Sequence, residues 1–151
     1  MPSRLFCWDA VTFTNFFNGG IDRTPEEISG IHEVMDMVDR HQARIVTSET
    51  VVGEVLEAAA DLELLLKRPQ FMKVSPSGPI ITKVKDIRTA TRAAVVHTPK
   101  FADATFIATA ILYRAEALHT FDDRILRLSG LPSVDGLMIC KPRGEQTMLG
   151  L

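Results

Sequence analysis

Residues 102–123 read ADATFIATAILYRAEALHTFDD. The first half predicts a helix from Ala102 to Arg114 that buries Phe106, Ala110 and Ile111, its alanines permitting close packing. The second half, Ala117 to Phe121, is a short apolar run of strand character. An acid marks each joint: Asp103 opens the helix and Asp122 follows the strand.

The same alternation runs outward in both directions. Upstream, Leu5-Phe6-Cys7-Trp8 reads as a strand ending in Asp9, and Val11 to Phe17 starts a helix broken by Asn18-Gly19-Gly20. Thr24-Pro25-Glu26-Glu27 reads as a capping box, with Thr24 as cap, Pro25 at the first helical position and Glu27 reaching back. Ile28, Ile31, Met35 and Val38 follow at helical spacing. Ile45 to Thr47 is a short strand and Glu49 to Ala60 a helix that carries Glu54. Leu62 to Lys67 reads as helical, Met72 to Ser75 as irregular or extended, and Ser75-Pro76-Ser77-Gly78-Pro79 as a loop. Ile80, Val84, Ile87, Thr91 and Ala94 form one helical stripe, and Met138 to Cys140 a last strand closed by Lys141-Pro142, beyond which the tail has no readable structure. Alternating strands and helices predict an α/β fold, a mainly parallel central sheet covered on both faces. With 151 residues and no repeat or linker, one domain spanning 1–151 is expected.

Four acids sit where a strand hands over to a helix or a helix begins: Asp9, Glu54, Asp103 and Asp122. Any one alone reads as a turn former or N-cap. Together, converging carboxylates repel and raise one another's pKa unless a cation neutralises them. An all-oxygen set suits Mg²⁺ or Mn²⁺, and the scattered four His and two Cys offer no zinc spacing. Glu49 rivals Glu54, and Asp123 rivals Asp122; each rival also reads as an acid stabilised by a helix N-terminus. His97 and His119 read as structural residues.

The net charge of −2 argues against a polyanionic partner, but its distribution does not. From Lys67 to Lys100 the chain carries a charge of +7, leaving −9 elsewhere. Lys85, Arg88 and Arg92 lie at i, i+3 and i+7 on one helical face, suited to substrate phosphates, with Lys67, Arg68 and Lys73 as a second basic group. There is no apolar run of transmembrane length and no secretory signal pattern at the N-terminus. Cys7 and Cys140 read as free buried thiols of a cytoplasmic protein.

In spacing and local wording the acids resemble the PIN-domain nucleases, which include the bacterial VapC-type toxins. LFCWDAVTF carries the strand-ending Asp9, RIVTSETVVGEVLE the helical Glu54 six residues beyond Ser48, ADATFIATA the helix-opening Asp103, and LHTFDD a T-x-D motif with Thr120 and Asp122. The chain departs from the pattern at Val11, where a small polar residue is usual, and Thr12 stands beside it as a substitute. The resemblance implies a PIN-like three-layer α/β/α fold and an Mg²⁺- or Mn²⁺-dependent ribonuclease with Asp9 and Asp103 as central ligands. Glu54 and Asp122 would bind directly or through water, and Thr12 and Thr120 would orient the carboxylates. It also implies an RNA substrate such as tRNA or ribosomal RNA, a cognate antitoxin and a homodimer. Two rivals stand beside it. A phosphatase with Asp9 as nucleophile lacks the second acid expected at Val11, and a PIN-like module that binds RNA or protein without cleaving is disfavoured by the four acids.

Overall fold

A computed structural model describes residues 3–55 and 57–144. Five strands form one sheet: β1 (Arg4–Trp8), β2 (Ala43–Ser48), β3 (Phe71–Val74), β4 (Ala117–His119) and β5 (Ile139–Cys140), in the order β3-β2-β1-β4-β5. Every pairing is parallel, with Phe6 opposite both Ile45 and Ala117. β1 is therefore central, and the chain leaves it toward β2 on one side but reaches β4 on the other. That change of direction opens a crevice at the carboxyl ends of β1 and β4.

Alternation along β1 sorts the covering layers. Cys7 faces α6 (Phe101–Leu112), its thiol against the Phe106 carbonyl at 3.6 Å. Phe6 and Trp8 face the other way, where Phe6 stacks on His119 and Trp8 meets Phe13 of α1 (Ala10–Asn18). On that side α2 (Pro25–Asp39) contributes Ile31, Val34, Met35 and Val38 to the core. α5 (Gly78–Ala93) packs outside α6, burying Ile80, Val84, Ile87 and Thr91, so the fold is a three-layer α/β/α sandwich. α6 is buried on every side from Ala104 to Ala110, and its two buried threonine hydroxyls are satisfied by carbonyls one turn back.

Local chemistry sets the element ends. α1 stops at Gly19, whose φ of 77° is the left-handed conformation that suits glycine. The capping box before α2 is formed, with the Glu27 nitrogen donating to Thr24 Oγ1 and the Thr24 nitrogen to the Glu27 carboxylate. The expected helix Glu49–Ala60 is not continuous. It divides into α3 (Val51–Glu54) and α4 (Ala59–Leu66), because Thr50, Val51, Val52, Gly53 and Val55 are poor helix formers and Val55 takes ψ 71°. The segment read as irregular or extended around Met72 is β3. The sequence tail read as structureless includes residues 145–151, outside the described residues.

After β5, Lys141–Gly144 crosses α2 as a strap. Lys141 pairs with Glu27 at 2.8 Å, the Gly144 nitrogen donates to Glu33 at 3.0 Å, and Arg4 donates to the Gly144 carbonyl at 3.0 Å. The crossing lies at Gly30, where an added Cβ would stand 2.0 Å from the Pro142 carbonyl oxygen. Gly30→Ala should therefore lower the urea midpoint, by about 1–3 kcal/mol of stability, as overpacking does. Gly53→Ala, which meets open space, should not destabilise. Equal midpoints for the two variants would mean that the strap yields at no cost.

Candidate functional site

Hydroxyl groups stitch together the carboxyl edge of the sheet. Thr47 at the end of β2 donates to the Trp8 carbonyl at 2.8 Å. Thr12, in the first turn of α1, lies 2.8 Å from Asp9 Oδ1 and 3.0 Å from the His119 carbonyl, its single hydroxyl proton shared between two acceptors. Thr120 lies close enough for its hydroxyl to lower the pKa of the Asp9 carboxyl, and that hydroxyl accepts from the Asp122 nitrogen at 3.2 Å. Thr12, Thr47 and Thr120 are fully buried.

Asp9 N-caps α1, accepting from the Thr12 nitrogen at 3.0 Å. Burial pushes its carboxyl above the ordinary range, hydrogen bonds from Thr120 and Thr12 pull against that, and the charge of Asp103 adds to the rise. Asp103, in the first turn of α6, is raised by burial and by Asp122, with Lys100, Arg124 and His97 opposing. Glu54 closes α3 on an exposed groove lined by Thr14, Phe17, Asn18 and Val55, and is raised by burial of its carboxyl and by the charges of Asp103 and Asp9. Asp122 N-caps α7 (Asp123–Leu126), accepting from the Arg124 nitrogen at 2.8 Å and from its guanidinium at 3.4 Å. Burial acts to raise this acid, but the Arg124 hydrogen bonds and charge prevail and hold it below the ordinary range.

The four sequence-marked acids thus lie in one electrostatic neighbourhood at the switch point of the sheet. Their rivals lie along the same edge. Glu49 accepts from Ser75 at 2.9 Å beside the end of β3, and Asp123 opens α7. Among the described residues, no three His, Cys, Asp or Glu side chains are grouped closely enough to hold one ion. The donor set, all carboxylate oxygen, is of the kind that suits a hard divalent cation.

His119 is a core residue. Its Nδ1 accepts from Trp8 Nε1 at 3.0 Å, and burial pulls its pKa down to about 3. His97, half-buried, is close enough for its charge to act on Asp103. The basic face of α5 is divided: Lys85 and Arg92 are exposed, whereas Arg88 is half-buried and donates from Nε to the Pro99 carbonyl at 3.1 Å. Residues that sequence reasoning passed over are Thr47, Lys100, Arg124 and Arg23, whose guanidinium lies 4.5 Å over the Phe121 ring. Thr47 carried a signal, since a hydroxyl in a buried strand must find an acceptor.

A family model for the PIN domain matches residues 14–131. The chain belongs to the PIN domain family. Its fold is similar to that of FitAcB from Neisseria gonorrhoeae (14% identity, 91% of this chain and 97% of that one, TM-score 0.63). It is similar also to VapBC2 from Rickettsia felis bound to a promoter DNA fragment (13%, 89% and 96%, TM-score 0.63). A third similar structure is VapC20 of Mycobacterium tuberculosis, described as a sarcin-ricin loop cleaving toxin (16%, 81% and 94%, TM-score 0.54). The search of curated proteins finds no match. Among the described residues, no helix is long and apolar enough to cross a membrane.

The raised acids fix a pH dependence. A carboxyl whose folded pKa lies above its unfolded value makes the folded chain bind protons more tightly, so stability falls as pH rises from the unfolded value through the folded one. Asp9, Glu54 and Asp103 act in this sense; Asp122, lowered, contributes stability that is lost as pH falls. Asp103→Asn should therefore raise the Tm in EDTA at neutral pH, and the gain should vanish below about pH 4, where the wild-type acid is also protonated. A gain of the same size at every pH would assign it to packing instead of charge.

Proposed function

We propose that this protein is an Mg²⁺- or Mn²⁺-dependent endoribonuclease, the toxin of a toxin–antitoxin pair. The observation that carries the reading is the gathering of Asp9, Glu54 and Asp103 at the carboxyl edge of the sheet, each raised first by burial and then by a neighbouring acid, with Asp122 beside them. Carboxylates crowded into one crevice, three of them disfavoured as anions, are what a hard cation relieves. Membership of the PIN family and a fold shared with FitAcB, VapBC2 and VapC20 support the same reading.

Asp9, Asp103 and Glu54 would hold the ion, with Asp122 contributing directly or through water. A bound divalent cation supplies an activated water and stabilises the leaving oxygen of a phosphodiester. Thr12 and Thr120 keep the Asp9 carboxylate aimed along the crevice, so its geometry is set before any substrate arrives. Lys85 and Arg92 would offer phosphate contacts along α5, whereas Arg88, expected to do the same, is half-buried and spends its Nε on the Pro99 carbonyl. The substrate would be RNA, tRNA or ribosomal RNA by the resemblance to VapC-type toxins, and VapC20 is itself described as cleaving the sarcin-ricin loop. The partners would be a cognate antitoxin covering the acidic crevice and a second copy of the chain, in the cytoplasm, where the free thiols Cys7 and Cys140 stay reduced. A PIN module that binds without cleaving is the competing reading, and it draws on the lack of three acids at chelating distance among the described residues.

Cleavage of RNA should require Mg²⁺ or Mn²⁺ and stop with EDTA. Asp9→Asn and Asp103→Asn should each remove more than about 100-fold of the rate, beyond the 10–100-fold that outer-shell changes produce. Asn is as good an N-cap as Asp, so Asp9→Asn should stay folded. A folded Asp103→Asn variant that cleaves as wild type would overturn the assignment.

The doubled acids make a separate test. Glu54→Ala and Asp122→Ala should lose far more activity than Glu49→Ala and Asp123→Ala, which should cost at most about 1 kcal/mol of helix-terminus stability. Loss of activity in Glu49→Ala with retention in Glu54→Ala would shift the site toward β3.

A further inference from the structure

A polyanion must approach the acidic crevice past its own repulsion, so the cations nearest Asp103 and Asp122 decide whether it arrives. Several of the chain's other cations are engaged away from the site: Arg4 pairs with Glu116, Arg68 with Asp39, Lys83 with Asp135, and Lys141 with Glu27. Two stand at the crevice itself. Lys100 is exposed and immediately precedes α6, three positions before Asp103, and the Ala104 nitrogen bonds its carbonyl at 2.8 Å. Arg124 reaches Asp122 Oδ2 at 3.4 Å from a side chain that is 54% exposed.

The Arg124 contact has a particular consequence. Its partner is an acid of the site and meets only Nη2 of the planar guanidinium, which leaves the rest of the fork for phosphate oxygens. Lys100, by contrast, is placed by its turn. Arg88 donates to the carbonyl of the buried Pro99, and this bond ties α5 to the residue that precedes Lys100.

We propose that Lys100 and Arg124 form the phosphate-gripping lip of the acidic crevice, seating an RNA strand across Asp103 and Asp122, with Arg88 as the strut that holds Lys100 in place. This rests on reading the crevice as a ribonuclease site, and it moves the main phosphate contacts from the exposed face of α5 to the edge of the acids. Lys85 and Arg92 then steer the strand from a distance and contribute little to the bound complex.

The test measures binding of a single-stranded RNA oligonucleotide to an Asp103→Asn background in EDTA at several salt concentrations. Lys100→Gln with Arg124→Gln should flatten the dependence of log K on log salt by about 1.4, roughly 0.7 for each lost contact on a single strand. Lys85→Gln with Arg92→Gln should flatten it much less. Arg88→Lys separates strut from contact: it keeps the charge but loses the Nε bond, so it should weaken binding as Arg88→Gln does, whereas a direct phosphate contact would be rescued. An unchanged slope in the Lys100/Arg124 pair, or full rescue by Arg88→Lys, overturns the lip. Cleavage by wild-type protein in Mn²⁺ is scored apart from this. Cleavage with an unchanged slope sinks the lip and leaves the nuclease standing, whereas a flattened slope without cleavage supports the lip and sinks the nuclease.

Discussion

The Asp9 carboxylate is the point on which the functional edge depends. It sits at the exit of the central strand, where burial disfavours its charge, and the Thr12 nitrogen and hydroxyl hold it there, with the Thr120 hydroxyl nearby. Those bonds join three elements, since Thr12 belongs to α1 and also reaches the His119 carbonyl of β4. Thr47 in turn satisfies the Trp8 carbonyl that the parallel ladder leaves at its end. One set of buried threonines therefore both closes the sheet edge and aims its acid.

Each aspartate of the site also has a local structural task. Asp9 caps α1, Asp122 caps α7 and Asp103 lies in the first turn of α6, all at the end of a helix that favours negative charge. Glu54 is the exception. It closes a helix of a single turn and makes no cap. Its place beside Asp9 and Asp103 has no stabilising rationale, so its presence argues for function more strongly than that of the three aspartates.

Much of this was legible in the residues. The apolar spacing of α5 and α6, the capping box before α2 and the acids at strand ends are local signals, and local signals survive in one dimension. The region from Glu49 to Val74 was harder. Glu49 to Ala60 reads as a helix by its length and acids, yet a cluster of β-branched residues around Gly53 breaks it, and β3 gains its identity only by pairing with β2. The cationic lip was missed because proximity between Arg124 and Asp103 comes from β4 and α6 packing together, and no spacing in the chain encodes it. Arg88 shows the converse: its helical face was legible, but its bond to Pro99 was not.

His119 narrows what the site can do. It accepts from Trp8 through Nδ1, so its proton sits on Nε2, which is buried with no partner among the described residues, the ring stacked against Phe6. With a pKa near 3 it stays neutral across the physiological range and cannot carry a proton for a reaction at the crevice. The titratable groups that the fold sets at this edge as reluctant anions are Asp9, Glu54 and Asp103, with His97 close to the last of them. On the ribonuclease reading, a crevice of such carboxylates would draw a divalent cation and repel a phosphate strand, and cations at its rim would offset that repulsion.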